Sequence, residues 1–203
     1  MYKGERFNSI SHLVGASLSL VAGAVLVTYA AIGGDTNKII SYSVYATTLF
    51  LLYLVSTLYH SIPGPAKKVF RVLDHQAIYV LIAGTYTPFV MVAIQGKLGW
   101  WMLGTIWGLA GVGIILDAVR RSGPRVTSLL IYLFMGWFCV VALDTFVASL
   151  SPASFGWLLA GGLFYTTGII FFVLDNWYPW CHGIWHLFVI AGSACHYFSI
   201  LLL

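Results

Sequence analysis

Seven long apolar stretches follow one another along the chain: Leu13–Ile32, Ile39–Tyr59, Ala77–Ile94, Leu98–Leu116, Leu129–Val147, Phe155–Leu174 and Gly183–Leu203. A helix rising about 1.5 Å per residue needs roughly 20 apolar residues to cross the hydrocarbon core of a bilayer. Each stretch is about 18–21 residues long, so each predicts one spanning helix. No alternation of apolar and polar residues runs through them, which excludes a β-barrel. Helices are the only other form that satisfies every backbone polar group in lipid. Charge makes the same point. Only 8% of the 203 residues are charged and 60% are hydrophobic, whereas a soluble domain carries about 25% charged residues. A soluble globular fold and a disordered chain are both excluded. The expectation is an all-α integral membrane protein, a seven-transmembrane helix bundle forming a single domain over residues 1–203.

The connectors support that count. Gly33-Gly34-Asp35, Pro63-Gly64-Pro65, Gln95-Gly96-Lys97, the basic segment from Arg120 to Arg125, Ser151-Pro152 and the segment from Asp175 to Pro179 separate the spans. With the N-terminus in the cytoplasm, Lys3, Arg6, Lys67, Lys68, Arg71, Arg120, Arg121 and Arg125 all lie inside, and only Lys38 and Lys97 lie outside. That bias predicts a cytoplasmic N-terminus and an outside C-terminus. The first span has an apolar core of about 20 residues, longer than the roughly 7–15 of a signal peptide, so it is expected to remain as a helix. The three cysteines, Cys139, Cys181 and Cys195, form no CxxC pair and read as buried thiols. No basic run with interleaved polar residues points to nucleic acid.

In so apolar a chain each polar side chain within a span is a functional candidate. The topology places His12, His60, Asp74, His75, His182 and His186 at one face, in the inner leaflet or its interface. His182 and His186 are four apart and share one helix face, a good geometry for two imidazoles on one metal ion. Ser56 lies one turn deeper than His60 on the same face. A third imidazole, from His60, would complete a set of three. Three protein ligands with one open position is the pattern of catalytic zinc. Asp74 could then hold or deprotonate the water that such a metal activates. The ordinary reading of any one interfacial histidine is a wet amphipathic side chain, and no HExxH motif is present, because Gly183 follows His182. The case for a metal rests on the pair, His60 and Asp74 reaching one depth from three helices.

The other polar residues read more simply. His12 is expected as an interfacial anchor, His75 as pointing away from the face of Asp74, and His196 as a hydrogen bond to a neighbouring helix. Asp117 is expected to pair with Arg120 or Arg121, while Asp144 and Asp175 are expected to be solvated. Pro88 should kink the third span, with Thr85 or Thr87 satisfying freed carbonyls. Gly104 and Gly108 match the GxxxG packing motif and allow a homo-oligomer. Trp100, Trp101, Trp177 and Trp180 read as interfacial belts.

Several of these segments resemble one family. Ser56-Thr57-Leu58-Tyr59-His60 resembles the SxxxH motif that ends the second helix of the hemolysin III-like proteins, which group with the progestin and adipoQ receptors, including the adiponectin receptors. Asp74-His75-Gln76-Ala77-Ile78-Tyr79, followed by Ala83-Gly84-Thr85-Tyr86-Thr87-Pro88, resembles the third helix. His182-Gly183-Ile184-Trp185-His186-Leu187-Phe188 resembles the HxxxH of the seventh. Glu5-Arg6-Phe7-Asn8-Ser9-Ile10-Ser11-His12 resembles the start of the bacterial branch. The resemblance implies a seven-helix bundle with an inside N-terminus and a zinc ion near the cytoplasmic face. Its ligands by motif position are His60, His182 and His186, with Asp74 and Ser56 contacting the bound water. The segment ahead of the first span is about a dozen residues, shorter than the extension of the animal receptors, so a hormone-receptor role is not expected.

Three functions are then in view. The first is a zinc hydrolase of a lipid amide or ester; the resemblance suggests ceramidase-like chemistry. The second is a membrane-homeostasis sensor, receptor-like, with structural zinc. The third is the cytolysin that the family name implies. The expected partners are membrane lipids, with a lipid substrate or ligand inside the bundle, and the expected location is a bacterial plasma membrane.

Overall fold

The computed structural model describes residues 4–119 and 126–203. Among the described residues the structure is all helix, and seven helical segments are long and apolar enough to cross a membrane. The first span is α1 (Arg6–Gly33), the second α2 (Thr36–Ser61) and the fourth α4 (Gly96–Val119). The third is α3 (Pro65–Pro88), which runs on into a π-helical turn at Phe89–Ile94. The fifth is broken: α5 (Val126–Gly136) passes through a 3-10 turn at Phe138–Ala142 into α6 (Leu143–Ser149). The sixth and seventh are α7 (Pro152–Leu174) and α8 (Cys181–Leu201). Lys3, Arg120, Arg121, Gly123, Pro124 and Arg125 lie outside the described residues, and with them the expected partners of Asp117. Asp117 accepts a hydrogen bond from the Ser128 hydroxyl at 2.7 Å.

Local chemistry explains where these helices begin. Asp35 caps α2 by accepting from the Lys38 N–H at 3.1 Å. Ser151 caps α7 in the same way with Ser154, and Pro152 occupies its first turn. Gln95 and Gly96 both take positive φ, 47° and 60°, which makes the reversal before α4 tight. The third helix starts twelve residues before the expected Ala77, because Gly64 at φ 75° turns the chain and Pro65 is preset for a first helical turn. Asp74 and His75 therefore stand well inside a helix rather than at its start.

The two interruptions have physical causes. Pro88 lacks an N–H, and α3 gives way to the wider π turn directly after it. Thr85 and Thr87 donate to the carbonyls of Leu81 and Ala83, not to that of Gly84, the carbonyl Pro88 leaves without its helical donor. In the fifth span the break at Trp137 frees backbone groups, and Tyr86 reaches across from α3 to meet them. Its hydroxyl donates to the Gly136 carbonyl at 3.0 Å and accepts from the Cys139 N–H at 2.8 Å. That is the repair an interrupted helix needs where no water reaches it.

Packing runs α1 on α2, α2 on α3, α3 on α4 and α7 on α8, with α1 also meeting α8; α5 and α6 lie more loosely against α7. The core holds Tyr42, Tyr45, Tyr53, Tyr79, Phe89 and Met102, while Val21, Ile115, Leu130 and Ile170 face outward as lipid contact requires. The expected belt residues Trp100, Trp101, Trp177 and Trp180 are all exposed. Among the described residues a Cβ at Gly104 or Gly108 would meet nothing within 4 Å, so that motif faces no other described helix. His196 donates from Nε2 to the Leu158 carbonyl at 3.3 Å, joining α8 to α7 as expected. Gly161 makes room for its ring, because a Cβ there would overlap it. Cys181 and Cys195 are buried thiols, whereas Cys139 is only half-buried.

Candidate metal centre

At the end of the bundle that carries the N-terminus, three helices bring a cluster of imidazoles together. His60 stands in the last turn of α2, His182 in the first turn of α8 and His186 one turn further along. The spacing of four puts the α8 pair on one face, with ring centroids 4.8 Å apart. The His60 ring lies 5.1 Å from that of His182 and 4.9 Å from that of His186. One nitrogen from each ring falls within 4.8 Å of the other two. His60 and His186 are buried, and His182 is half-buried.

Each ring is held from behind at Nδ1. His60 donates from Nδ1 to Glu5 Oε2 at 2.7 Å. His182 donates from Nδ1 to Asp175 Oδ2 at 2.7 Å. His186 donates from Nδ1 to the Asn8 carbonyl at 3.1 Å, with the Ser11 hydroxyl 3.2 Å away. Carboxylate and carbonyl oxygens only accept, so each neutral ring keeps its proton on Nδ1 and a lone pair on Nε2. The Nε2 atoms of His60 and His182 are buried without a hydrogen-bond partner. An unpartnered buried nitrogen costs about 1–3 kcal/mol. Three converging histidines, each Nδ1–H tied to an oxygen and two of them with a bare buried Nε2, form the donor set that zinc takes. The residues therefore fit a zinc ion.

The supporting oxygens come from two places. Glu5 precedes α1; besides His60 it receives the Asn8 amide at 2.9 Å and lies 3.3 Å from Lys67 Nζ. The hydrogen bond from His60, helped by that from Asn8, holds the Glu5 carboxyl down to about 2 despite its partial burial, so it is ionised at neutral pH. Asp175 closes α7. A Cβ at Gly183 would fall on the Phe7 ring, so the lack of a side chain there lets the start of α1 settle against α8 and deliver the Asn8 carbonyl.

The five residues expected at the site, Ser56, His60, Asp74, His182 and His186, come together. Ser56 is buried one turn before His60, and Asp74 lies near Ser56, His60 and His182. The His75 carbonyl accepts from the Tyr132 hydroxyl at 2.8 Å. Asp144 is exposed, as expected. Two expectations fail. His12 is not an interfacial anchor: it is 3% exposed, stacks on His186 at 3.6 Å and meets the Tyr53 ring edge-on. Asp175 is not solvated: its side chain is 10% exposed and bound to His182. Neither Glu5 nor Asn8 was a sequence candidate. The signal available for Asp175 was an acid at a helix C-terminus, where the helix dipole disfavours one.

A cavity of about 180 Å³ opens between α2, α3, α5, α7 and α8. Three of its lining residues stand one helical turn from the cluster: Leu52 from Ser56, Ile78 from Asp74, and Val189 from His186. Its walls are mainly apolar, including Phe89, Phe146 and Phe155.

Comparison with known proteins adds a further finding. The model of the haemolysin-III related family matches residues 1–197. Hemolysin-3 of Bacillus cereus is 46% identical over 202 residues, covering 98% of this chain and 91% of that protein. A Hemolysin-3 homolog of Bacillus subtilis is 41% identical over 98% of this chain and 93% of its own length. The human monocyte to macrophage differentiation factor is 32% identical over 77% of this chain and 67% of its own.

Proposed function

The chain belongs to the haemolysin-III related family, and from that premise we propose that it is a zinc-dependent hydrolase of a lipid amide or ester in a bacterial plasma membrane. The observation that carries the proposal is the set of three converging histidines whose Nδ1–H groups are tethered to oxygens, two of them with a buried, unpartnered Nε2. His60, His182 and His186 would hold the metal, and three protein ligands leave a tetrahedral site one position short. Zinc, when bound, polarises a carbonyl and makes water acidic enough to attack at neutral pH.

The chain's own residues do the rest. Asp74, oriented by Ser56, takes a proton from the attacking water and returns it to the departing alcohol or amine. Water adds to the carbonyl carbon, the C–O or C–N bond breaks, and a carboxylic acid leaves with the alcohol or amine. The apolar cavity, one turn from Ser56, Asp74 and His186, suits an acyl chain whose carbonyl sits at the cluster. The excess of basic residues on the connectors at this end supports a cytoplasmic site.

A second reading, a membrane-homeostasis sensor with structural zinc, draws on one observation: none of the three histidines lines the cavity. The cytolytic reading, suggested by the names of the bacterial relatives, is the weakest, since the cavity is apolar where a pore needs a polar lining. Elemental analysis of purified protein should give about one zinc per chain, and none after His60→Ala, His182→Ala or His186→Ala. A folded wild type that takes up no metal refutes the site. Lipid profiles of cells carrying wild type or Asp74→Ala should differ in one cleaved lipid. If Asp74→Ala keeps its zinc and the profile does not change, the sensor reading replaces the hydrolase.

A further inference from the structure

We propose that Glu5 and Asp175 are positioning residues of the metal centre: each holds one ligand histidine in the tautomer and orientation that zinc needs, and together they balance its two positive charges. The inference rests on the zinc reading above and adds residues that reading does not use. Both carboxylates lie 2.7 Å from a histidine Nδ1, close enough for charge-assisted hydrogen bonds.

Neither acid is placed to stabilise its own helix. Glu5 occupies the N-cap position of α1, yet its side chain makes no capping hydrogen bond. Its carboxylate points to His60 on α2 instead. Asp175 sits at the C-terminus of α7, where the partial negative charge of the helix disfavours an acid by about 0.3–1 kcal/mol. His182 is seven residues further on, in the first turn of α8, and receives that carboxylate. The turn between α7 and α8 thus carries a ligand and its support together, while Glu5 reaches 55 residues along the chain to its own.

The third ligand differs. His186 is backed by a main-chain carbonyl, which no side-chain substitution removes. Three neutral imidazoles leave the two charges of zinc uncompensated, and at low effective dielectric that is costly. Two carboxylates directly behind two of the ligands offset them. Glu5 also pairs with Lys67, whose ammonium lies over the Tyr59 ring. That contact supplies the rival explanation: Glu5 could serve only to tie the start of α1 to α3.

The test is zinc competition against a chelator of known affinity, on full-length protein purified in detergent micelles, with thermal unfolding of the zinc-free protein as the second readout. Glu5→Gln and Asp175→Asn should each weaken zinc binding about 10–100-fold, the range for such supporting residues. Glu5→Gln keeps an acceptor for Nδ1–H and removes only the charge, so Glu5→Ala should be weaker still. Lys67→Met should bind as wild type does. The zinc-free Tm of Glu5→Gln should match that of Lys67→Met. If Glu5→Gln and Asp175→Asn hold zinc as tightly as wild type, the inference is overturned while the zinc reading stands. If Lys67→Met weakens zinc as much as Glu5→Gln, Glu5 is a tether and its positioning role is overturned. A wild type that binds no zinc overturns the functional reading itself.

Discussion

Gly84→Ala would test whether the approach of α2 to α3 sets the geometry between Asp74 and His60. An added Cβ at Gly84 overlaps Thr48 Oγ1 and comes to 2.9 Å from both Cβ and Cγ2 of Thr48. Thr48 cannot step aside: it is buried, β-branched, and its hydroxyl donates to the Tyr45 carbonyl at 2.9 Å. Ordinary contact returns only if the two helices separate by several tenths of an ångström. Overpacking of that kind costs about 1–3 kcal/mol, and each kcal/mol lowers Tm by roughly 2–4 °C in a chain of this size. All three histidines stand on α2 and α8, so zinc content should be retained. Asp74 stands on α3, so turnover should fall by more than the loss of folded protein explains; a misplacement near 1 Å can cost about 10²-fold. Gly104→Ala, which meets nothing, is the control and should leave both quantities unchanged. Thermal unfolding and metal analysis on the same preparations decide it. A Gly84→Ala protein with the Tm of the Gly104→Ala control would refute the packing argument. Equal turnover per folded molecule would refute the link to Asp74.

Three further outcomes follow from the same contacts. His12→Phe keeps a ring against His186 and removes two buried nitrogens that have no partner; since such atoms cost about 1–3 kcal/mol, Tm should stay or rise with zinc retained, and loss of zinc would show that a His12 nitrogen is used. Gly161→Ala drives a Cβ into the His196 ring and breaks its bond to the Leu158 carbonyl; Tm should fall by more than for Gly156→Ala, a site on the same helix that meets nothing within 4 Å. Tyr53→Phe removes a hydroxyl bonded to Ser193 at 2.8 Å and should cost about 0.6 kcal/mol, the average for such bonds between spanning helices, with a drop above about 2 kcal/mol pointing to a cooperative network through Tyr165, whose hydroxyl lies 2.7 Å from that of Ser193.

Much of the fold was legible because the bilayer leaves few choices. The seven apolar stretches became seven spans with shifted ends. The His182 and His186 pair and the Ser56 and His60 pair were legible because residues four apart share a helix face. His196 did what an isolated polar group between helices does. The missed features depend on neighbours that local sequence does not reveal. The break at Trp137 needs Tyr86 from another helix to satisfy it. The burial of His12 depends on the approach of α1 to α8, which Gly183 permits.

The sequence by itself therefore determined the helices, their number and the faces that carry imidazoles. Those follow from hydrophobic length and helical period, which act within tens of residues. Only the tertiary structure decided which nitrogen of each imidazole is tied to an oxygen. That depends on Glu5 meeting His60 across 55 residues and the Asn8 carbonyl meeting His186 across 178. A hydrogen bond is directional and short, so it exists only once distant helices have packed, and no pattern along the chain encodes it.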